Sequence, residues 1–379
     1  MKMTLLNCTA GTSSLQEVCD VCSGGKAGSV FVAPNLKPVS MLTLDDQPDR
    51  IYAFVQCTYE GPCVHDSDDP LACGDPTYPA CQRGVNTWLV SSTDGYQWRK
   101  ESDYRFWTGR LTSPMFIPAG KAYAAAPDQY AYVHFPISAN AEGNGTERSC
   151  WYGNDYLLLA RVERTLAAVT NRSSYEWWAG PGKPWAADDS GAAKVFEYHH
   201  MIGAPHTFYN TGLKRYILPN YGSINAKTRL PWSETAGVGE IAGHSFPAKF
   251  AACSGASCPY HSTQLTLYES EHPWGPWTQF YFQSKFEWGG DGPQGAGHTG
   301  APDDTYSSGA YSPDFPGGWI SDDGKTMMMV STACCNFSTS DPTGLIPKAG
   351  GYQAHWTPVR ISLLQEGKSG SDGAGGDAR

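Results

Sequence analysis

The sequence predicts an all-β chain folded as a β-propeller, and three observations lead there. Short runs of apolar, β-branched and aromatic residues are punctuated throughout by 42 glycines and 27 prolines, with few helix formers at helical spacing. These runs fall into groups of four, the size of one propeller blade. One small turn also occurs twice, as SSTDGYQW (Ser91–Trp98) and SDDGKTM (Ser321–Met327). In both, a serine, a spacer and Asp-Gly precede a bulky apolar side chain. The Asp carboxylate suits local backbone N–H groups and the Gly suits a positive φ. A turn recurring at equivalent points of four-stranded units is what a propeller produces.

The first group reads Ser40–Leu44, Arg50–Gln56, Asn86–Ser92 and Gln97–Lys100, the last two joined by the STDG turn. The second reads Pro114–Pro118, Gln129–Pro136, Asp155–Val162 and Tyr175–Ala179. The third reads Thr207–Asn210, Arg215–Asn220, Gln264–Ser270 and Trp277–Phe282. The fourth reads Gly318–Ser321, Lys325–Ser331 and Tyr352–Leu364. That is nearly four blades, where five is typical of sugar-acting propellers. The segment 1–36 carries too few strand signals for a whole blade, so it either supplies strands that close the ring or a blade is missing upstream. The propeller domain is expected over 37–364, and 365–379, rich in Gly, Ser and Asp, reads as a flexible tail.

Bulk chemistry narrows the partners. A net charge of −10 argues against nucleic acid or an anionic membrane surface, and no apolar run approaches a membrane span. Twelve cysteines and four N-glycosylation sequons, at Asn7, Asn144, Asn171 and Asn336, point to an oxidised, secreted, glycosylated protein. Cys57, Cys63, Cys73 and Cys81 are expected to staple a Pro/Asp-rich excursion, Cys253 and Cys258 to close a small loop, and Cys19 and Cys22 to form a disulfide or a loose terminal pair rather than half a zinc site. The N-terminal apolar run is too short for a convincing signal peptide, so secretion rests on cysteines and sequons alone. Nucleotide-binding and serine-hydrolase motifs are absent.

Longer stretches then carry a resemblance. KPVSMLTLDD (Lys37–Asp46), GKAYAAAPDQYAYV (Gly120–Val133), LLLARV (Leu157–Val162), YEWWAG (Tyr175–Gly180), NTGLKRYIL (Asn210–Leu218), HPWGPWTQF (His272–Phe280) and FPGGWISDDGKTMMMV (Phe315–Val330) follow one another in order. Together they resemble a family of secreted five-bladed β-propellers, long known only as a domain of unknown function, some of whose members are endo-D-arabinanases. The resemblance covers Lys37 to Leu364 and implies a five-bladed propeller acting on a furanose-containing polysaccharide. This chain shows nothing matching the family's Asp-rich N-terminal blade, which puts one carboxylate of the family's site in doubt. The Ser-x-Asp-Gly turn also resembles the Asp box of sialidases, which however keeps a residue between Asp and Gly.

Glycoside hydrolysis calls for two carboxyl groups flanking the scissile bond, one acting as acid and the other as base or nucleophile. The expected pair is Asp128, between the first two strands of the second group, and Asp314, in YSPDFPGGW before the fourth. In VFEYHHMIGAPHTFYN, the expected approach to the third group, residues Glu197, His200 and His206 are expected to contact sugar. Their spacing, with His199, fits no metal motif. Lys37 is a hydrogen-bond donor to hydroxyls at a position matched to the family. Tyr130, Trp107, Trp185 and Trp319 are candidates for stacking on sugar rings. No cofactor is expected, a cation in the channel is left open, and the partner is an oligo- or polysaccharide bound by a monomer. The reading from a different class is a non-catalytic carbohydrate-binding propeller.

Overall fold

The computed structural model describes residues 35–59, 83–101, 106–139, 147–149, 153–225, 261–283, 286, 310–333 and 353–362. They form four antiparallel sheets that follow one another along the chain in a propeller-like arrangement.

Sheet one contains β1 (Asn35–Leu44), β2 (Gln47–Tyr59) and β3 (Arg83–Ser92), with a fourth position shared by β4 (Arg99–Lys100) and β5 (Trp107–Thr108). Sheet two contains β6 (Met115–Phe116), β7 (Tyr130–Ile137) and β8 (Asn154–Glu163). Its outer position is again split, between β9 (Glu176–Trp177) and β10 (Phe196–Ile202). Sheet three contains β11 (Phe208–Asn210), β12 (Arg215–Asn225), β13 (His261–Ser270) and β14 (Thr278–Gln283). Sheet four has β15 (Tyr311–Asp314), β16 (Thr326–Ala333) and β17 (Gln353–Arg360).

Period-2 alternation decides which way each sheet packs. On β2, Tyr52 and Phe54 face sheet two, where Phe54 stacks on Phe116 at 5.4 Å, and Phe54 also lies 5.3 Å from Phe106, just before β5. The next residues, Ala53 and Val55, join Trp88 and Val90 in a separate cluster on the opposite face. Sheets two and three meet through Tyr132, Leu157, Leu159, Tyr216 and Leu218. Sheets three and four meet through Phe208 and Phe315, stacked at 5.3 Å. A buried aromatic side chain of this size contributes up to about 3 kcal/mol, so these interfaces hold the arrangement together.

Strand register gives every sheet two ends. The connections from first to second and from third to fourth strand emerge at one, here called the turn end. At the other, the loop end, second strands finish, third strands begin and each sheet gives way to the next. Cross-sheet contacts align the turn ends. Arg164, after β8, binds Asp45, in the β1–β2 turn, at 3.1 Å. The Asn210 amide donates to the Gly324 carbonyl at 2.8 Å. A Cβ on Gly317 would lie 3.7 Å from Gly120, so the turn ends of sheets two and four touch across the centre.

The structure corrects four expectations. Four sheets, not five blades, are found among the described residues; the segment 1–34 lies outside them. The first strand of sheet four is Tyr311–Asp314, and Gly317–Trp319 is a 3-10 turn instead, because Gly317 and Gly318 favour a bend over a ladder. The segment Phe196–Ile202 is the outer strand of sheet two rather than the approach to sheet three. The two Ser-x-Asp-Gly turns do not occupy equivalent points. The first joins strands three and four of sheet one, and the second joins strands one and two of sheet four. They share only the turn end.

Candidate functional site

At the loop end of sheets one and two, Glu147 and Asp189 converge on Arg110, and Tyr156 joins them through Glu147. Arg110 stands in a 3-10 turn, Gly109–Leu111, between β5 and β6. Its Nε and Nη2 donate to Asp189 Oδ2 at 3.1 and 3.0 Å, and Nη2 also reaches the Asp189 carbonyl at 2.9 Å. Its Nη1 donates to Glu147 Oε2. The other Glu147 oxygen accepts from the Tyr156 hydroxyl, on β8. Burial works against the Arg110 charge, but the hydrogen bonds and charges of Glu147 and Asp189 prevail and hold its pKa above the ordinary arginine value. Burial, followed by the Glu147 hydrogen bond and charge, pushes the Tyr156 hydroxyl well above its usual range, so it stays a donor. Lys194 caps the Tyr156 ring at 4.6 Å and pairs with Glu197 at 2.6 Å.

One residue before Tyr156, Asp155 accepts from the Ala139 amide at 2.7 Å and from His199 Nδ1 at 2.7 Å. The Asp155 side chain is 8% exposed and that of His199 66%. A buried carboxylate therefore orients an imidazole whose other edge faces water. Deeper in the same end, Ser113 Oγ donates to Gln56 Oε1 at 2.7 Å and Thr87 Oγ1 to the Thr112 carbonyl at 2.5 Å.

The residues singled out from sequence are dispersed over the molecule. Asp128 lies at the turn end of sheet two. Its Oδ1 accepts from the Tyr130 amide at 2.9 Å, and its Oδ2 from the Tyr132 hydroxyl at 2.7 Å. Its carbonyl accepts from Arg164 at 2.5 Å. Asp314 lies on β15, where its Oδ1 accepts from the Phe315 amide at 2.8 Å. Tyr130 and Trp185 sandwich the Arg161 guanidinium, each 4.2 Å away, while Glu176 holds it at 2.8 Å. Trp107 is 1% exposed and edge-packed against Phe106, Phe135, Tyr175 and Trp177, so no sugar reaches its face and its expected stacking role is corrected to core packing. Glu197 is exposed and paired with Lys194, and His206 is half-buried just before β11. Lys37 and His200 lie on β1 and β10, with side chains outside the described set. Trp319 is exposed beside sheet four.

Of the sequons, Asn171 is exposed, capping a short turn; Asn7, Asn144 and Asn336 lie outside the described residues, as do the cysteines of the expected disulfides other than Cys57, which is on β2 with its side chain outside the described set. Among the described residues no group of three or more His, Cys, Asp and Glu side chains could hold a metal ion, and no helix is long and apolar enough to cross a membrane.

No family model matches the chain, and no curated protein matches it. Some solved structures resemble it weakly. Zg3597, a family 117 glycoside hydrolase produced by the marine bacterium Zobellia galactanivorans, is 10% identical at a TM-score of 0.35, over 88% of this chain and 71% of that one. The catalytic domain of a family 62 α-L-arabinofuranosidase from Coprinopsis cinerea is 12% identical at 0.32, over 88% and 93%. A family 43 arabinoxylan arabinofuranohydrolase from Bacillus subtilis, in complex with cellotetraose, is 10% identical at 0.27, over 78% and 58%. At such TM-scores these likenesses carry no argument about this chain.

Proposed function

We propose that this chain is a secreted, glycoside hydrolase-like propeller acting on a polysaccharide, with arabinofuranose-containing polymers the first to test. Its working surface is the loop end of sheets one and two. The observation that supports this most is the meeting of Glu147 with Arg110 and Tyr156. Bond cleavage between sugars needs a carboxylate held in place by donors that do not move, and a guanidinium with a protonated phenol provides two. Asp155 and His199 form a second, separately held pair at the same end, on the opposite face of β8 from Tyr156. In this reading Glu147 is the base or nucleophile. Arg110 fixes Glu147, and Asp189 fixes Arg110.

A second reading has an observation of its own. Asp128 spends both carboxylate oxygens on Tyr130 and Tyr132 inside an aromatic interface, as a structural residue would. A propeller that binds carbohydrate without cleaving it needs no such acid. Incubation with arabinan, arabinoxylan and xylan, read as new reducing ends, separates the two. Release of oligosaccharides that Glu147→Gln abolishes supports hydrolysis. Retention on the polymers without release supports binding alone.

A further inference from the structure

The flank of sheet four that faces away from sheet three carries two large aromatic side chains that lie open and in ring contact. Alternation along β16 sends Met327 and Met329 into the core, where the Asn210 amide nitrogen reaches Met327 Sδ at 3.4 Å. Met328 and Val330 therefore point the other way. Antiparallel partners share a face, so Trp356 and Asp314, both opposite Val330, and Pro358, opposite Met328, belong to the outer flank. Trp319 leans over it from the 3-10 turn after β15, its ring centroid 4.5 Å from that of Trp356. Trp319 is 46% exposed and Trp356 56%. Asp314 Oδ1 is taken by the Phe315 amide, while Oδ2 has no partner among the described residues.

Open indoles need an explanation in a chain that buries Trp107, Trp177 and Trp88. Together the two rings offer on the order of 200 Å². A stable dimer interface needs about 800 Å² from each partner, so a second copy of the chain is a poor occupant. The dimensions suit one or two sugar rings. A sugar presents an apolar C–H face beside a rim of hydroxyls, and here an aromatic surface stands in one cross-strand row with a free carboxylate oxygen that accepts O–H donors.

We propose that Trp319, Trp356 and Asp314 form a carbohydrate-binding platform on the outer flank of sheet four, separate from the loop-end site and taking neutral pentose oligosaccharides. The inference rests on the polysaccharide reading above and deepens it, since a platform away from the cleavage site would hold a polymer against the protein. In this role Asp314 binds hydroxyls and takes no part in proton transfer.

The test is a titration of the full chain with linear arabinohexaose and with xylohexaose, followed by intrinsic tryptophan fluorescence, with sedimentation velocity alongside. The expected result is saturable quenching by at least one of the two, weakened roughly tenfold or more in Trp356→Ala and in Trp319→Ala, and several-fold in Asp314→Asn, with the chain sedimenting as a monomer. Both tryptophans are surface residues, and Trp356→Phe, which keeps an aromatic face, should recover part of the binding. Unchanged affinity in both alanine variants overturns the platform, as does a lack of response to both probes. A wild-type dimer that Trp356→Ala converts to monomer also overturns it, making the flank a subunit contact. Binding is read without turnover, so the two proposals can fail separately. Tryptophan-dependent binding with no cleavage sinks the hydrolase reading alone, and cleavage without such binding sinks the platform alone.

Discussion

The turn end and the loop end carry the same kinds of acidic residue and use them differently. At the turn end, Asp94 Oδ1 accepts from the Tyr96 and Gln97 amides, both at 2.8 Å, and Asp323 Oδ1 from the Lys325 amide at 3.0 Å. Asp128 is tied to a neighbouring amide and a buried phenol. At the loop end, Glu147 and Asp189 bind a guanidinium, and Asp155 binds an imidazole. Backbone amides fix the shape of a turn and cannot shuttle protons. Side-chain donors bring charge that a substrate can exploit. An acidic residue in this fold is therefore assigned by its partner, not by its end alone, since Asp45 binds the Arg164 guanidinium at the turn end.

If that contrast is right, the largest effect on activity comes from the loop end. Glu147→Gln keeps the shape but loses the charge that meets Arg110, and it is expected to lower the rate of reducing-end release at least 100-fold, the range of a lost acid–base or nucleophilic group. Asp155→Asn should cost less, since Asp155 lies on the opposite face of β8 from the Tyr156 that holds Glu147. Asp128→Asn, at the turn end, should leave the rate within a few-fold. Steady-state rates on the same polymer check all three. A large loss in Asp128→Asn with none in Glu147→Gln would reverse the assignment of the two ends.

Much of the fold was legible because its signals are local. Alternation marked β2, β3, β7, β8, β12 and β13 within a few residues of their observed limits, and the Asp-Gly pairs marked both turns. The strand at Tyr311–Asp314 was hidden because Pro313 weakens strand character while Gly317 and Gly318 shift attention downstream. The outer strand of sheet two was hidden because an insertion splits it, leaving β10 in a stretch with three histidines that reads as a loop. The site was harder still. Arg110, Glu147, Tyr156 and Asp189 are spread over 80 positions of sequence in unremarkable surroundings and meet only through the order of the sheets. Their one sequence hint is Asp155-Tyr156 at the head of an apolar strand, a charged and a phenolic residue where a buried strand begins.

The next effect concerns the interface of sheets two and three. His134, fully buried on β7, lies 3.1 Å from Thr207 Oγ1 through Nδ1 and 3.1 Å from the Pro273 carbonyl through Nε2. Burial drives its pKa down to about 4. The folded protein thus keeps His134 neutral at pH values where the unfolded chain protonates it near 6.5. Its contribution to stability is complete above pH 6.5, declines as the pH falls, and is gone near pH 4. The total amounts to about 3 kcal/mol. Denaturant unfolding at pH 7 and pH 4.5 should show the loss in the wild type. His134→Gln, less stable at pH 7 through lost packing, should show a smaller drop between the two. Equal drops in both proteins would remove His134 as the cause.

Two glycines then separate backbone strain from crowding within the same turn motif. Gly95 has φ +75° with nothing near its absent Cβ. Gly324 has φ +70°, but a Cβ there would sit 2.8 Å from the Leu213 nitrogen and closer still to Asn210 Oδ1. Gly95→Ala should cost only the left-handed backbone penalty, about 1 kcal/mol. Gly324→Ala adds the clash with sheet three and should cost about 2–4 kcal/mol. Thermal or denaturant unfolding of the two variants checks the gap. Equal costs would mean that the turn ends of sheets three and four are not packed as closely as Asn210 and Gly324 imply.

The smallest effect belongs to the turn aspartates themselves. Hydrogen bonds from the Gln97 and Tyr96 amides and the Ser92 hydroxyl hold the Asp94 pKa below its ordinary value, and the Ser321 hydroxyl and the Lys325 amide do the same for Asp323. A carboxyl with a depressed folded pKa contributes stability above its unfolded pKa, near 3.9, and loses it as the pH falls through the folded value. Both groups are fully exposed, so solvent weakens each contribution. Asp94→Ala and Asp323→Ala should each lower the unfolding midpoint slightly at pH 7, and the difference from wild type should vanish in strong acid, where the carboxylates are protonated. Activity at pH 7 should not change in either variant. A loss of activity in Asp323→Ala without a loss of stability would show that the turn end reaches the chemistry after all, and the division of labour between the two ends would have to be redrawn.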